Sequence, residues 1–430
     1  MSAPGQLGLQ MQKCDGVRLM TVPITRLEDL VSALGPLPEN PRVVVSGNGA
    51  TPWTLLHHWD SLVNRYVLHL LNAHPGVPDR EGVTLETAFV GAGVRRSPRL
   101  AYVPARLSLV PLLFASALPP DVVMVRTSPP FDGKVSLGPE VNIIPAAIEV
   151  ARSRGGRVVA QVDPLVPYVY GDGKLDLDVF DVLVEATDPL GAPASTPADD
   201  VTSLIAERVA ARIEDGATLQ LGIGAVPDAV LAGLLGRTHL RVWSEMVSDG
   251  VLALERRGAL DAGRPLTASF LLGSEDLYRW AHLNPRLRLL RTETVNDPGL
   301  IARNPRMVSV NTALQVDLYG QVNASRVHGR IHSGFGGQTD FIVGALHAEG
   351  GQALIALRSW HPKADVSTIV PMVEEPLTSF QPSAVVTEQG FAALFGHTQQ
   401  AQAEHLIESA AHPDVREELV EEGRALGLLR

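Results

Sequence analysis

Ala217-Thr218-Leu219-Gln220-Leu221-Gly222-Ile223-Gly224-Ala225-Val226-Pro227-Asp228, running on into Ala229-Val230-Leu231-Ala232-Gly233-Leu234-Leu235, decides the fold class. It reads as an apolar strand, a glycine loop and a helix, the unit from which α/β sheets are built. Gly222 and Gly224 let the backbone come close to a ligand, and the free amides at the helix start suit an anion or a carbonyl. Pro227 stands where a dinucleotide fingerprint has its third glycine, and no Lys-Ser/Thr follows to complete a phosphate loop.

A second junction follows. Thr238-His239-Leu240-Arg241-Val242-Trp243 reads as a short strand and Val251-Leu252-Ala253-Leu254-Glu255 begins a helical pattern. Between them, Trp243-Ser244-Glu245-Met246-Val247-Ser248-Asp249-Gly250 places one carboxylate at the hinge. Ligands of open α/β sheets gather outside the carboxyl ends of the strands, so Glu245 is positioned to meet a substrate. An acid that merely caps the next helix explains the same residue. A third stretch, Ile331-His332-Ser333-Gly334-Phe335-Gly336-Gly337-Gln338-Thr339-Asp340-Phe341, sets three glycines ahead of an apolar segment able to start a helix. Their amides either point into a pocket or close a tight turn without a ligand.

The same alternation runs through the chain. Pro41-Arg42-Val43-Val44-Val45 leads into Ser46-Gly47-Asn48-Gly49 and a helix from Pro52, and Gly156 to Val162 and Asp181 to Ala186 read as later strands. Pro189-Leu190-Gly191-Ala192-Pro193-Ala194-Ser195-Thr196-Pro197 interrupts all periodicity and reads as a linker. An amphipathic helix, Val201 to Ala211, opens the second half. The expected fold class is α/β with two doubly wound domains, residues 1–190 and 198–430. The length of 430 residues agrees, since single cores stop growing at roughly 250–300. The end, Val415 to Arg430, reads as a solvated helix.

The formal net charge of −11 excludes a general nucleic-acid binder, which needs a basic field. One cysteine, Cys14, excludes an intramolecular disulfide and points to a reducing, cytoplasmic setting. The N-terminal Met1 to Leu7 carries no charged segment followed by an apolar stretch, and Leu107 to Val125 is broken by Pro111, Pro119 and Pro120, so neither a signal peptide nor a membrane span is expected. The histidines show no ligand spacing and no metal is expected; His57 and His58 are adjacent and would diverge on a helix. No Gly-x-Ser-x-Gly elbow supports a serine hydrolase.

The three stretches, in this order, resemble the acetyl-CoA hydrolase/transferase family. The likeness extends over nearly the whole chain: Ala101 to Ser108, Thr127-Ser128-Pro129-Pro130, Ser136-Leu137-Gly138, Val295-Asn296-Asp297-Pro298, Val310-Asn311-Thr312-Ala313-Leu314, Ser367 to Pro371, Val385-Val386-Thr387-Glu388-Gln389-Gly390 and Ala411-His412-Pro413. The resemblance implies two domains of the CoA-transferase type with the acyl site between them, and a ping-pong transfer of CoA between short carboxylic acids through a glutamyl-CoA thioester. By motif position Glu245 would be the nucleophile, Gly336 an oxyanion-hole glycine, Asn296 a substrate-positioning amide and Glu388 a second active-site acid. Gly222, Gly224, Gly334, Gly337 and Gln338 would contact substrate or CoA. Coenzyme A enters as a substrate, with no tightly bound cofactor; acyl-CoA and small carboxylates are the partners, and a homodimer is an open possibility. A thioester hydrolase would use the same residues, and a non-catalytic CoA-binding protein would lack turnover.

Glu245 must be ionised to attack, so its surroundings are not expected to push its pKa far upward, and the helix that follows it would favour the anion. Arg303, Arg306, Arg326, Arg330 and Lys363 are candidates for the CoA phosphates, or solvated surface. Two departures stand out. Gln315 replaces the glutamate that many relatives carry after Asn-Ser/Thr-Ala-Leu, putting acyl specificity in doubt. Pro130 to Ser136, around Gly133, is shorter than the family's loop and lacks its histidine.

Overall fold

A computed structural model describes residues 24–192 and 197–430. Cys14, the N-terminal segment and residues 193–196 of the expected linker lie outside them. The first large sheet contains β1 (Arg42–Val45), β2 (Tyr66–His69), β3 (Val83–Thr87), β4 (Leu100–Tyr102), β5 (Val122–Thr127), β6 (Arg157–Val162) and β7 (Val182–Glu185), in the order β7-β6-β5-β1-β2-β3-β4. All its neighbours pair in parallel. The chain winds outward from β1 to one edge, then from β5 to the other, so the switch point lies between β1 and β5. Parallel strands covered on both faces need continuous apolar runs, and all six residues of β5 are buried.

The second large sheet repeats the plan. It contains β8 (Thr218–Leu221), β9 (Arg241–Val242), β10 (Met307–Asn311), β11 (Gln352–Ala356), β12 (Ala384–Val386) and β13 (Phe391–Ala393), in the order β9-β8-β10-β11-β12-β13. Only β13 runs antiparallel. The switch point lies between β8 and β10. The strand expected over Thr238–Trp243 is shorter than its apolar pattern, because His239 takes a positive φ of 57° and delays the pairing.

Helices flank both sheets. The ones that position the site are α1 (Trp53–Leu62), α2 (Ile144–Ser153), α3 (Asp200–Ala210), α4 (Ala225–Gly233), α5 (Asp249–Arg257) and α6 (Gln338–His347). One apolar cluster runs through both sheets, including Val44, Val125, Val310 and Val386. Each large sheet stays on its own side of residue 190, yet Tyr170–Gly171 of the first half adds a strand beside Leu287–Leu289 of the second. Among the described residues no helix is long and apolar enough to cross a membrane.

Two expectations change. The described start of the linker is pinned: Arg126 Nη1 donates to the Pro189 carbonyl at 3.1 Å, and Gly191 N to the Gly49 carbonyl at 2.9 Å. Composition could not show this, because the partners are more than 60 residues away in sequence. The C-terminal helix α7 (Arg416–Ala425) is not merely solvated either, since it buries Leu419 and packs Gly423 against Leu429 and Leu318.

Candidate active site

Glu245 stands between β9 and the two-residue strand Met246–Val247, which pairs with Phe270–Leu271. Its carbonyl accepts from Ser269 N at 2.9 Å and Phe270 N at 3.1 Å, while Ser244 Oγ donates to the Leu221 carbonyl at 3.2 Å. The backbone is thus tied on both sides, and the side chain lines a cleft of about 380 Å³. The carboxyl edges of the two sheets meet there. Asn48 follows β1, Asn72 follows β2 and Phe89 follows β3; Gly222 follows β8 and Asn311 ends β10. Residues 332–338 close the third side.

That glycine stretch crosses from the second half to the first. Val90 N donates to the Ser333 carbonyl at 2.7 Å, Leu107 N to the Gly336 carbonyl at 3.0 Å and Arg95 Nε to the His332 carbonyl at 2.7 Å. The crossing is so close that a Cβ on Gly334 would lie 2.7 Å from the Ala88 carbonyl oxygen. Gly336, at φ 55°, lies against the Phe89 ring. Gly337 is the N-cap of α6, and a Cβ there would come within 2.8 Å of Glu245 Oε2 and closer still to Asn296 Nδ2. It is therefore Gly337, rather than Gly336, whose backbone abuts the carboxylate. Among the described residues neither N–H has a protein acceptor.

Asn296 is fully buried, and its Nδ2 donates to Glu245 Oε1 at 3.4 Å while its Oδ1 has no partner among the described residues. The Asn-Asp-Pro turn read from sequence is present as well: Asp297 caps the next short helix through Leu300 N at 2.7 Å. Asp340, in the first turn of α6, is buried behind this pair. Ser108 Oγ donates to it at 3.0 Å and Arg106 Nη1 lies 3.3 Å away.

The electrostatics run against the expectation that the pKa is not pushed far upward. Burial, then the nearby Asp340 carboxylate, push Glu245 from its ordinary 4.5 up to about 7, against the pull of the Asn296 amide. Burial likewise lifts Asp340 to about 6, opposed by Ser108, Arg106 and Asn296. The helix that starts four residues after Glu245 does not supply the neighbouring N-terminus; the one beside the carboxylate belongs to α6, about 90 residues on.

Gly222 and Gln338 also line the cleft, with Gln338 Nε2 donating to the Thr312 carbonyl at 3.3 Å. A Cβ on Gly222 or Gly224 would meet nothing within 4 Å, so these glycines face open space instead of a tight contact. Glu388 does not line the cleft. It follows β12, four strands from β9 at about 4.8 Å per strand, and accepts from Ser359 N and Oγ. Gln315, in the strand Gln315–Asp317, accepts from Asn323 Nδ2 at 3.4 Å and is outside the cleft lining, as are the residues around Gly133.

Of the basic candidates, Arg303 and Arg306 stand before β10, at the sheet edge opposite the cleft. Lys363 lies in the turn between Trp360–His361 and Val366–Ser367. Arg326 and Arg330 belong to a hairpin just beyond the cleft residue Ala324. Unforeseen were Asp340, Arg106, Ser108, Phe89 and the amides Asn48, Asn72 and Asn142. Asp340 could have been found as a lone acid directly after the glycine stretch; the others carry no signal until the sheets meet.

Residues 273–423 match the model of the acetyl-CoA hydrolase/transferase C-terminal domain. The chain is 36% identical over 387 residues to the 4-hydroxybutyrate coenzyme A transferase of Clostridium kluyveri, spanning 86% of this chain and 89% of that one. It is 35% identical over 411 residues to the succinyl-CoA:acetate/propanoyl-CoA:succinate CoA transferase of Fasciola hepatica, covering 90% and 85%. The crystal structure of RipA from Yersinia pestis shares the fold with a TM-score of 0.87 at 27% identity, covering 94% of this chain and 98% of that one. Fold, whole-length similarity and family model agree: the chain belongs to the acetyl-CoA hydrolase/transferase family.

Proposed function

We propose that the protein is an acyl-CoA:carboxylate CoA-transferase for short-chain acids, with Glu245 as its nucleophile. One observation carries this reading. A carboxylate held by a buried amide stands at the junction of two sheets, with a helix N-terminus beside it and glycine N–H groups that have no acceptor among the described residues. That arrangement supplies a nucleophile and preorganised donors for an oxyanion.

In the first half-reaction a Glu245 carboxylate oxygen attacks the thioester carbon, and the carbon–sulfur bond breaks to release CoA thiolate. The thiolate then attacks the Glu245 carbonyl of the mixed anhydride, which expels the acyl group as a free carboxylate and leaves glutamyl-CoA. An incoming carboxylate attacks that thioester, and the two steps run in reverse. The tetrahedral oxyanions fall to the Gly336 and Gly337 N–H groups, one such donor being worth about 100-fold or more in rate. Asn296 holds Glu245 in line, and Gly222, Gly334 and Gln338 border the acyl and thioester.

Incubation with an acyl-CoA and no acceptor tests the reading. The expected result is CoA attached to the peptide carrying Glu245, reducible by borohydride with irreversible inactivation, and discharged by acetate. Steady release of free CoA without an acceptor would make the protein a hydrolase. Absence of both adduct and turnover would overturn the catalytic reading.

A further inference from the structure

A second buried acid stands near Glu245. Glu140 is 1% exposed and forms a bridge to Phe270, the residue whose N–H is bonded to the Glu245 carbonyl. Asn48 Nδ2 donates to its Oε2 at 2.8 Å, and Asn72 Nδ2 donates to Asn48 Oδ1 at 3.0 Å. Asn142, two residues on, lies near enough for its amide to favour the ionised carboxyl, and its own Oδ1 has no partner among the described residues. All three amides line the cleft.

These asparagines also share an unusual backbone. Asn48, Asn72 and Asn142 take positive φ values of 46°, 48° and 38°, a region that side-chain-bearing residues rarely adopt. Strained positions of this kind gather where surrounding structure overdetermines them. Asparagine is among the residues that take this region most readily, and all three of these line the cleft.

We propose that Glu140 is a positioning residue for the transfer: its carboxyl holds Asn48, and through it Asn72, in the cleft wall that faces Glu245. The inference rests on the transferase reading above. Among the described residues no cation pairs with Glu140. The charged or titratable groups around it are Glu245, the Tyr278 phenol, which bonds the Gly191 carbonyl, and beyond Tyr278 the Asp249 carboxylate and the Arg126–Asp163 pair. A buried carboxylate with no cation partner is disfavoured, and burial pushes Glu140 up to about 8 despite the Asn48 and Asn142 amides. The reaction repeatedly places negative charge in the cleft, as oxyanion and as thiolate. An ionised Glu140 would oppose each of those states.

The test compares kcat against pH, from 6 to 9.5, for wild type, Glu140→Gln and Glu140→Ala, with thermal unfolding recorded for each. Wild type should lose activity about tenfold per pH unit above about 8, as a single ionisation requires. Glu140→Gln keeps a hydrogen-bonding side chain that cannot ionise; it should run several-fold slower at pH 7 and show no alkaline fall. Glu140→Ala should lose at least tenfold in kcat/KM at pH 7. Should these variants fail to fold, Asn48→Gly, which accommodates the positive φ, removes a donor to the carboxylate and should move the wild-type fall to higher pH.

An alkaline fall identical in wild type and Glu140→Gln, as ionisation of the CoA thiol would give, overturns the proposal. So does a wild type with no alkaline fall, Glu140→Ala at wild-type kcat/KM, or Asn48→Gly with an unmoved profile. Trapped glutamyl-CoA on wild type together with any of these results removes Glu140 alone, whereas absence of the adduct removes the transferase reading.

Discussion

Ser108 Oγ donates to the buried carboxylate of Asp340 at 3.0 Å, so a residue of the first half holds the acid whose charge, after burial itself, most raises the pKa of Glu245. Asp340→Asn removes that charge while keeping the shape. Wild type should lose half-reaction rate about tenfold per pH unit below about 7, because only ionised Glu245 attacks. In Asp340→Asn the acid fall should begin at lower pH. Single-turnover rates between pH 5 and 8 read this directly, and an unmoved profile would break the link between the two acids.

Glu245→Gln should lower turnover on the order of a thousandfold or more in a folded protein, as removal of a covalent nucleophile does. Full activity would end the mechanism proposed here.

The same variant should be more stable than wild type in alkaline solution. Folding raises the Glu245 pKa, so its favourable contribution is fully present below 4.5 and is lost as pH climbs through about 7. Above that, the ionised side chain opposes folding by up to on the order of 2 kcal/mol, less where cleft solvent screens it. Melting curves should separate in favour of Glu245→Gln at pH 8 and converge below pH 4.5. Equal melting at pH 8 would mean that the carboxylate is freely hydrated.

Gly337→Ala and Gly222→Ala form a contrasting pair. A methyl group at 337 runs into Glu245 Oε2 and Asn296 Nδ2, whereas at 222 it meets nothing within 4 Å. Displacing a nucleophile by about 1 Å costs on the order of 100-fold, so the first should lose that much kcat while the second stays within a few-fold. Gly336→Val adds a branched side chain at positive φ against the Phe89 ring and should lower rate more than melting temperature. If Gly337→Ala kept wild-type kcat, the oxyanion donors would have to be sought elsewhere.

The strand-loop-helix units were legible because parallel strands buried on both faces carry apolar runs, as Val43–Val45 and Val122–Val125 do. Glu245 and the glycine stretch were legible too, since strand ends and glycine amides mark themselves locally. The pKa of Glu245 was not, because it depends on Asp340, 95 residues later, and on burial that exists only after the sheets meet. Glu140 gave no sign either; its meaning comes from Asn48, which reaches it across 92 residues. Glu388 shows the converse, a conspicuous motif that the topology sets several strands away from Glu245.

The bonds from Val90 to Ser333 and from Leu107 to Gly336 have a consequence for how activity can be lost. The nucleophile is carried by one sheet, while the amides facing it are moored to the other. Prying the halves apart by a few ångströms would therefore silence the enzyme with every side chain intact. Inactivation on heating or in mild denaturant should precede loss of secondary structure, because competence resides in the seam and not in either half.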